Sequence, residues 1–414
     1  MNLKLDERQF SPDLQRRLVE TSAHTKSFRL AAQMAQVWSD QAFSERHIGR
    51  LTEAIGEELV AQRDAEVGDF VHHRCEPDEL DPKHELAVVS MDGGRVQTRE
   101  EILGRGPGVH EAHWREEKVA RLQTMESKTF DIDPCPEPPE CFLDPKKLKK
   151  LLEPDDETEP ESSAPAEAKP IDAGQPQSRW QPIPKVRTCV ATMEKVDEFR
   201  WMVWAEAKRR HFFTAARRAV VADGQEYNWT IQERLFPDFV PILDFLHAAS
   251  YLYAAAVVVG RVAADPKAQT VVLYHAWIRD AWQGRVADVL PILEAALTGA
   301  GIGTETLKDD HPWHAVQRAA TYLGNHRNKM NYPEYRKQGL PTTSSLIESQ
   351  IKEFNYRVKG SEKFWNTANA EAMLQVIARC LRDDGHDLRE YMANRPGHPF
   401  RRRATKPTGS PTVA

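Results

Sequence analysis

Apolar residues recur at helical spacing from residue 11 to about residue 65. Leu14 and Leu18 form one stripe, Phe28, Ala31, Ala32 and Ala35 a second, and Ile48, Leu51, Ile55 and Leu59 a third. Ser44 stands just before the third stripe, where an N-cap belongs. The spacing predicts helices over 26–38 and from 44 onward. Arg46, His47 and Arg50 fall on the first turns of the latter. The pair reads as a helix-turn-helix or as a plain helical bundle, and spacing alone favours the bundle.

After residue 84 the period shortens. Leu86–Met91 is an apolar run of buried-strand length that stops at Asp92-Gly93-Gly94. Lys118–Met125 alternates weakly and reads as a strand, although Val119, Leu122 and Met125 also suit a helix. Val186–Thr192 alternates in β-rich residues, and Ala219–Ala222 is another buried strand, ending in Asp223-Gly224. Between these two strands Val196–Arg210 is an amphipathic helix. A short helix at about 230–236 precedes the apolar stretch Phe239–Leu246. The chain is then mostly helical to about 385, with breaks at Pro266, Gly299–Gly303 and Pro341.

This order of elements is that of a ribonuclease-H-like fold. The expected class is α/β: a mixed sheet, a helical insertion before the last catalytic acid, and an N-terminal helical domain. The domains expected are 1–70 (helical), 84–132 (first strands), 133–182 (a disordered Pro/Glu-rich insertion), 183–385 (the rest of the catalytic domain, with helices inserted at about 260–340) and 386–414 (a basic flexible tail). In such a sheet the first and fourth strands are neighbours, so Asp92 and Asp223 face each other, and a third carboxylate arrives from a late helix. Glu348, Glu353 and Glu371 all qualify by position. Three carboxylates suit two Mg²⁺ ions, which take oxygen ligands and clamp the attacking and leaving oxygens of phosphoryl transfer. Either Asp-Gly alone is ordinary turn chemistry; two strand ends in this order carry more weight.

Composition alters this picture in one respect. The 414 residues carry a formal net charge of -6, with 40% hydrophobic and 29% charged residues, which is ordinary for a soluble protein and excludes coating of DNA by bulk positive charge. Residues 151–178 hold eight acids against one Lys, leaving the rest of the chain near +1. The acidity therefore belongs to one Pro-rich segment that lacks the apolar surface to order itself. Five cysteines do not make a disulfide framework, and the first residues carry no apolar signal stretch. The expected setting is the cytoplasm, with no membrane contact.

Several blocks resemble one family. Val89-Ser-Met-Asp92-Gly-Gly-Arg95-Val, Val221-Ala-Asp223-Gly, the stretch from Phe236 through Asp244 and His247, and the run Met330–Lys352 are similar to ISKra-type bacterial insertion-sequence transposases. So are Arg357-Val-Lys-Gly360, Trp365 and the Asp-Pro-Cys-Pro-Glu-Pro-Pro-Glu loop at 133–140. The resemblance covers most of 10–385. It implies a DDE transposase that cuts element ends and joins the 3′-hydroxyl to target DNA. Asp92, Asp223 and Glu348 are then the ligands of two Mg²⁺ (or Mn²⁺) ions, and Asp244 and His247 match the Asp-x-x-His that follows the second acid in Mutator-like relatives. Double-stranded DNA, both element ends and target, is the implied partner, bound by a homo-oligomer. The chain departs from the family at Thr343-Ser344-Ser345, where Gly-Ser-Gly is common. Its N-terminus is short, which leaves open whether an upstream DNA-binding module is missing.

His247 either acts beside the metals or sits as a satisfied histidine on a core helix, with Asp244 orienting it. The candidate DNA contacts are Arg46, Arg50, Arg209, Arg210, Lys352, Arg357 and Lys359, against the ordinary fate of charged runs as solvated helix faces. Trp365 reads as core or as a stacking platform for a flipped base. His72, His73, Cys75, Cys135 and Cys141 are poorly spaced for zinc. Gly299-Ala-Gly301-Ile-Gly303 reads as a helix end, not a dinucleotide fingerprint. Two readings compete with the transposase: a catalytically silent, transposase-derived DNA-binding regulator, and a nuclease of the same fold.

Overall fold

The computed structural model of the chain describes residues 10–74, 84–99, 113–144, 180–360 and 363–395. Helices α1 (Pro12–Ala23), α2 (Phe28–Ser39) and α3 (Glu45–Val71) come first, and Ser11, Ser27 and Ser44 cap them by accepting from the amides of Leu14, Leu30 and His47. Strands β1 (Leu86–Thr98) and β2 (His113–Glu126) follow, then the short α4 (Glu140–Leu143), β3 (Ile183–Thr192), α5 (Val196–Arg209), β4 (Arg217–Ala222), α6 (Glu226–Leu235) and β5 (Val240–Leu243). The remaining elements are helical: α7 (Phe245–Gly260), α8 (Pro266–Trp282), α9 (Val286–Gly299), α10 (His314–His326), α11 (Tyr332–Lys337), α12 (Ser345–Val358), α13 (Thr367–Leu381) and α14 (His386–Asn394).

The protein is thus α/β, built on a five-stranded mixed sheet in the order β3-β2-β1-β4-β5. The β3–β2 and β2–β1 pairs are antiparallel; β1–β4 and β4–β5 are parallel. Strand alternation sorts the side chains onto two faces. Ala87, Val89, Met91, Leu122 and Val220 pack with Phe199 and Val203 of α5 and Ile231 of α6. On the opposite face, Val88, Val221 and Ile242 join a core with α7–α11. Farther along that same face Val96, Val119 and Ala191 join a second core with α1–α3 and α12–α14. The two cores divide between Val88 and Val96, and the residues of β1 that fall in the gap are Ser90, Asp92 and Gly94. A polar cleft therefore opens where neither core closes over the sheet.

Four expectations change. Asp92-Gly93-Gly94 is not a turn: β1 runs on to Thr98, with Asp92 opposite Val119 and Gly94 opposite Glu117. The cause is tertiary, because the Glu117 side chain fills the space that a Cβ at position 94 would need. The helices expected as a separate N-terminal domain share their core with the sheet and with α13, where Gly56 lets α3 come so close that an added Cβ would lie 2.5 Å from the Ala372 carbonyl oxygen. Residues 133–144, expected inside a disordered insertion, are packed. Asp133 pairs with the fully buried Arg336, whose guanidinium lies 4.1 Å from the Trp282 ring centre, while Trp282 donates to the Cys135 carbonyl and Tyr274 to that of Phe142. Residues 386–394, expected within the tail, form α14 and bury Leu388 and Met392. The acidic stretch 151–178, the rest of the tail, Cys75 and the glycines at 104–108 lie outside the described residues.

The weak alternation at 118–125 belongs to a strand, β2. The Gly299–Gly303 stretch ends α9, with Gly301 left-handed at φ 75°. Among the described residues no helix is long and apolar enough to cross a membrane.

Candidate active site

Three acids enter the cleft through strand register alone. Met91 of β1 pairs with Ala222 of β4, and Ala222 pairs with Leu243 of β5. The next residue on each strand is Asp92, Asp223 and Asp244. Asp223 and Asp244 follow the carboxyl ends of the parallel strands β4 and β5, where open α/β sheets place their ligands, and Asp92 lies level with them inside β1, which runs on to Thr98. Asp244 then caps α7, its Oδ1 accepting from the Leu246 amide at 3.2 Å and from the Ser344 amide at 3.0 Å. The second bond ties β5 to the start of α12, and with it Glu348 on the first turn of that helix. One helical turn into α7, His247 points its Nε2 at both, 3.7 Å from Asp244 Oδ2 and 3.9 Å from Glu348 Oε1.

Asp244, His247 and Glu348 each offer a ligand atom within 4.8 Å of the others, the one such grouping among the described residues. Asp92 and Asp223 border it. Asp92 accepts from the Gly93 amide at 2.7 Å. Asp223 accepts from the Gln225 amide at 3.1 Å and from Asn228 Nδ2 at 2.9 Å. Asp244 Oδ2 and Glu348 Oε1 are buried with no hydrogen-bond partner. Burying an unpaired carboxylate oxygen is costly, so these two atoms are held for something that the polypeptide does not itself supply.

The electrostatics agree with the geometry. Burial, and next the charge of Asp223, push Asp92 up to about 6. Burial and the neighbouring Asp244 push Glu348 up to about 7, against the pull of His247 and Lys352. Burial also raises Asp223. For His247, burial acts downward, but Asp244, Asp223, Asp92 and Glu348 together outweigh it and its pKa is raised. The imidazolium is the sole cation that the structure puts among the four carboxylates at ion-pair distance; no described Lys or Arg pairs with them.

Of the three late glutamates, only Glu348 reaches the cleft. Glu353 pairs with Arg187 at 3.0 Å. Glu371 is buried elsewhere, bound by Arg63, by the Thr192 hydroxyl and by the Met193 amide. The expected basic residues divide. Arg46, Arg50 and Lys352 are exposed, Lys352 one turn beyond Glu348. Lys359 is half-buried, and its charge acts on Glu117. Arg209 and Arg210 are committed to the buried Glu206, and Arg210 also to Asp383. Arg357 is 2% exposed, donates to the Ser22 carbonyl, and lies over the rings of Phe28 and Trp365. It belongs to the interior, as does Trp365, whose indole N–H donates to the Val358 carbonyl. Cys135 and Cys141 form no disulfide among the described residues.

The sequence offers Asp244 as a residue that orients His247 from the same helix face. In the structure its Oδ1 caps α7, and Oδ2 is left over. The signal was the Asp-x-x-His spacing directly after a strand, which puts both side chains on one helix face. Tyr227, Tyr322 and His326 were also missed. The Tyr227 hydroxyl is buried and unpartnered near Asp223 and Asp92, and Tyr322 and His326 pack against Gly224, next to Asp223.

Compared with known proteins, the chain matches no family model and no curated protein sequence.

Proposed function

We propose that the cleft is the active site of a DDE transposase of ribonuclease-H-like fold, which cuts the ends of an insertion sequence and joins the freed 3′-hydroxyl to target DNA. The observation that carries this reading is the convergence of Asp92, Asp223 and Glu348 on one polar gap in the sheet, where no described Lys or Arg forms an ion pair with them, although the charge of Lys352 acts on Glu348. The sheet order, with β1 beside β4, is the order that the reading requires.

The residues fit the ions implied by the resemblance. Asp92, Asp223 and Glu348 offer hard oxygen donors, and the unpartnered Oε1 of Glu348 is a ligand atom in waiting. When bound, two Mg²⁺ ions supply Lewis-acid activation of a water or a 3′-hydroxyl and stabilise the leaving oxygen. The chain's own contribution is positional. Strand register fixes Asp92 and Asp223, and the Ser344 amide bound to Asp244 fixes the start of α12. When no ion is bound, His247 in its protonated form places a positive charge among the four acids. Lys352, exposed on the next turn from Glu348, is placed to contact a phosphate of the strand. Arg46 and Arg50 are further candidate backbone contacts, and pairing of two DNA ends calls for an oligomer.

The test uses duplexes bearing the sequences that flank the coding region. Wild-type protein is expected to nick and join them with Mg²⁺ or Mn²⁺. Asp92→Asn is expected to lose both steps while still retarding the duplex in a gel. Retention of strand joining by Asp92→Asn would remove the assignment. Cleavage without joining would favour a nuclease, and binding without cleavage a silent regulator.

A further inference from the structure

We infer that Asp244, His247 and Glu348 form a nitrogen-containing metal site of their own, selective for an imidazole-preferring divalent first-row transition ion such as Zn²⁺ over Mg²⁺. Two features distinguish it from a chance meeting of acids. The donors are mixed, one imidazole and two carboxylates, and their ligand atoms all lie within 4.8 Å of one another. Asp244 is 0% exposed, yet its Oδ2 has no partner and faces His247 Nε2; the facing Glu348 Oε1 is likewise buried and unpartnered. Asp244 cannot turn away to satisfy that oxygen, because two backbone amides hold its Oδ1. Fixing of one carboxylate oxygen by its surroundings while the other stays open is how outer partners orient a metal ligand.

The donor set decides the class of ion. Mg²⁺ takes oxygen and keeps its waters, whereas imidazole suits Zn²⁺, Fe²⁺, Ni²⁺ and Cu²⁺. Bonds of about 2.0–2.1 Å to a tetrahedral Zn²⁺ put donor atoms about 3.3 Å apart. The separations of 3.7 and 3.9 Å from His247 Nε2 are slightly wider, and the three atoms lie within 4.8 Å of one another, so binding draws the side chains together. Three protein ligands leave a fourth position open, and the partial exposure of His247, 30% of its side chain, gives a path to it. Any consequence for catalysis rests on the strand-transfer reading, through the shared Glu348; binding of the ion does not.

Co²⁺ is the probe, because its visible d–d absorption reports a low-coordinate site, and comparison with His247→Gln shows whether the imidazole is a ligand. The full chain, freed of metal by chelation, is titrated without DNA. One equivalent of Co²⁺ is expected to bind, with bands displaced by Zn²⁺ and unaffected by a hundredfold excess of Mg²⁺. His247→Gln and Asp244→Asn should each weaken binding at least thirtyfold. Asn still caps a helix, so the second variant keeps α7 in place, and circular dichroism verifies the fold of both. Glu353→Gln, whose carboxylate pairs with Arg187 away from the cleft, should bind Co²⁺ within about threefold of wild type. Equal Co²⁺ affinity in wild type and His247→Gln, or displacement of Co²⁺ by Mg²⁺, overturns the proposal. Co²⁺ binding through His247 in a protein that never joins DNA would leave this site standing and remove the transposase reading. DNA joining with Mg²⁺ in a protein whose Co²⁺ binding ignores His247 would do the reverse.

Discussion

Two groups of buried carboxylates in this protein are held in opposite ways. Glu206 and Asp387 belong to a network closed by arginines. Glu206 faces Arg209, Arg210 and Arg382, and Asp387 faces Arg379 and Arg382. For Glu206, burial acts upward, but Arg382, Arg209 and Arg210 hold it well below the usual carboxylate range. Asp387 is lowered against its burial in the same way, by Arg382 first. In the cleft, Asp92 and Glu348 are raised to about 6 and about 7. Each carboxylate of the network has its countercharge built into the chain. The cleft has one histidine for four acids, so most of its countercharge must come from outside.

The largest effect expected from this contrast is in the network. Glu206→Gln leaves three guanidinium groups without their shared partner and should cost about 3–5 kcal/mol, read as a lowered urea midpoint at unchanged m-value. An unchanged midpoint would mean that the arginines find other partners and that the network is not closed.

The cleft should respond to ions instead. Saturating Mn²⁺, at roughly a hundred times its dissociation constant, should stabilise the wild type by about 2.7 kcal/mol. Thermal melting should show this at about pH 8 and lose most of it at about pH 5, where the carboxylates hold their protons. In Glu348→Gln the shift should shrink at both pH values.

A smaller effect carries a definite sign. Raised pKa values mean that the folded, metal-free protein binds more protons than the unfolded chain between roughly pH 4 and pH 7. Stability contributed by the protonated forms is complete below the unfolded values and falls as pH rises through about 6 for Asp92 and about 7 for Glu348. Asp92→Asn removes its share of that loss. The variant should be more stable than wild type by about 1–2 kcal/mol at about pH 8 without metal, and no more stable at about pH 3.5. Chemical denaturation at the two pH values checks this; a variant less stable at both would place Asp92 with the structural carboxylates.

Much of this was legible in the chain. Apolar runs located the start of β1 and located β4 and β5, alternation located β2 and β3, and their order placed Asp92 and Asp223 side by side. What failed to show was whatever depended on partners distant in sequence. Gly93-Gly94 reads as a turn until Glu117, on another strand, is seen to need the space. Arg357 reads as a DNA contact until Ser22, Phe28 and Trp365 close around it. Arg209 and Arg210 read as a basic patch, since the Glu206 that engages them is one helical turn away but Asp383 is far along the chain. Periodicity could not choose among Glu348, Glu353 and Glu371, because all three lie on amphipathic helices. The choice came from the resemblance, and the geometry agrees with it: Glu348 alone among them meets His247. Asp244 was half-seen, as a partner of His247, because its ties to the Leu246 and Ser344 amides depend on the folded chain.

The contrast between the two groups is tested most directly by strand joining per folded molecule, measured side by side for Asp223→Asn and Asp387→Asn on duplexes carrying the sequences that flank the coding region, in Mg²⁺ or Mn²⁺. The cleft variant should fold at least as stably as wild type and join no DNA. The network variant should be less stable yet join DNA at the wild-type rate once corrected for folded protein. Joining by Asp223→Asn, or its selective loss in Asp387→Asn, would contradict the account.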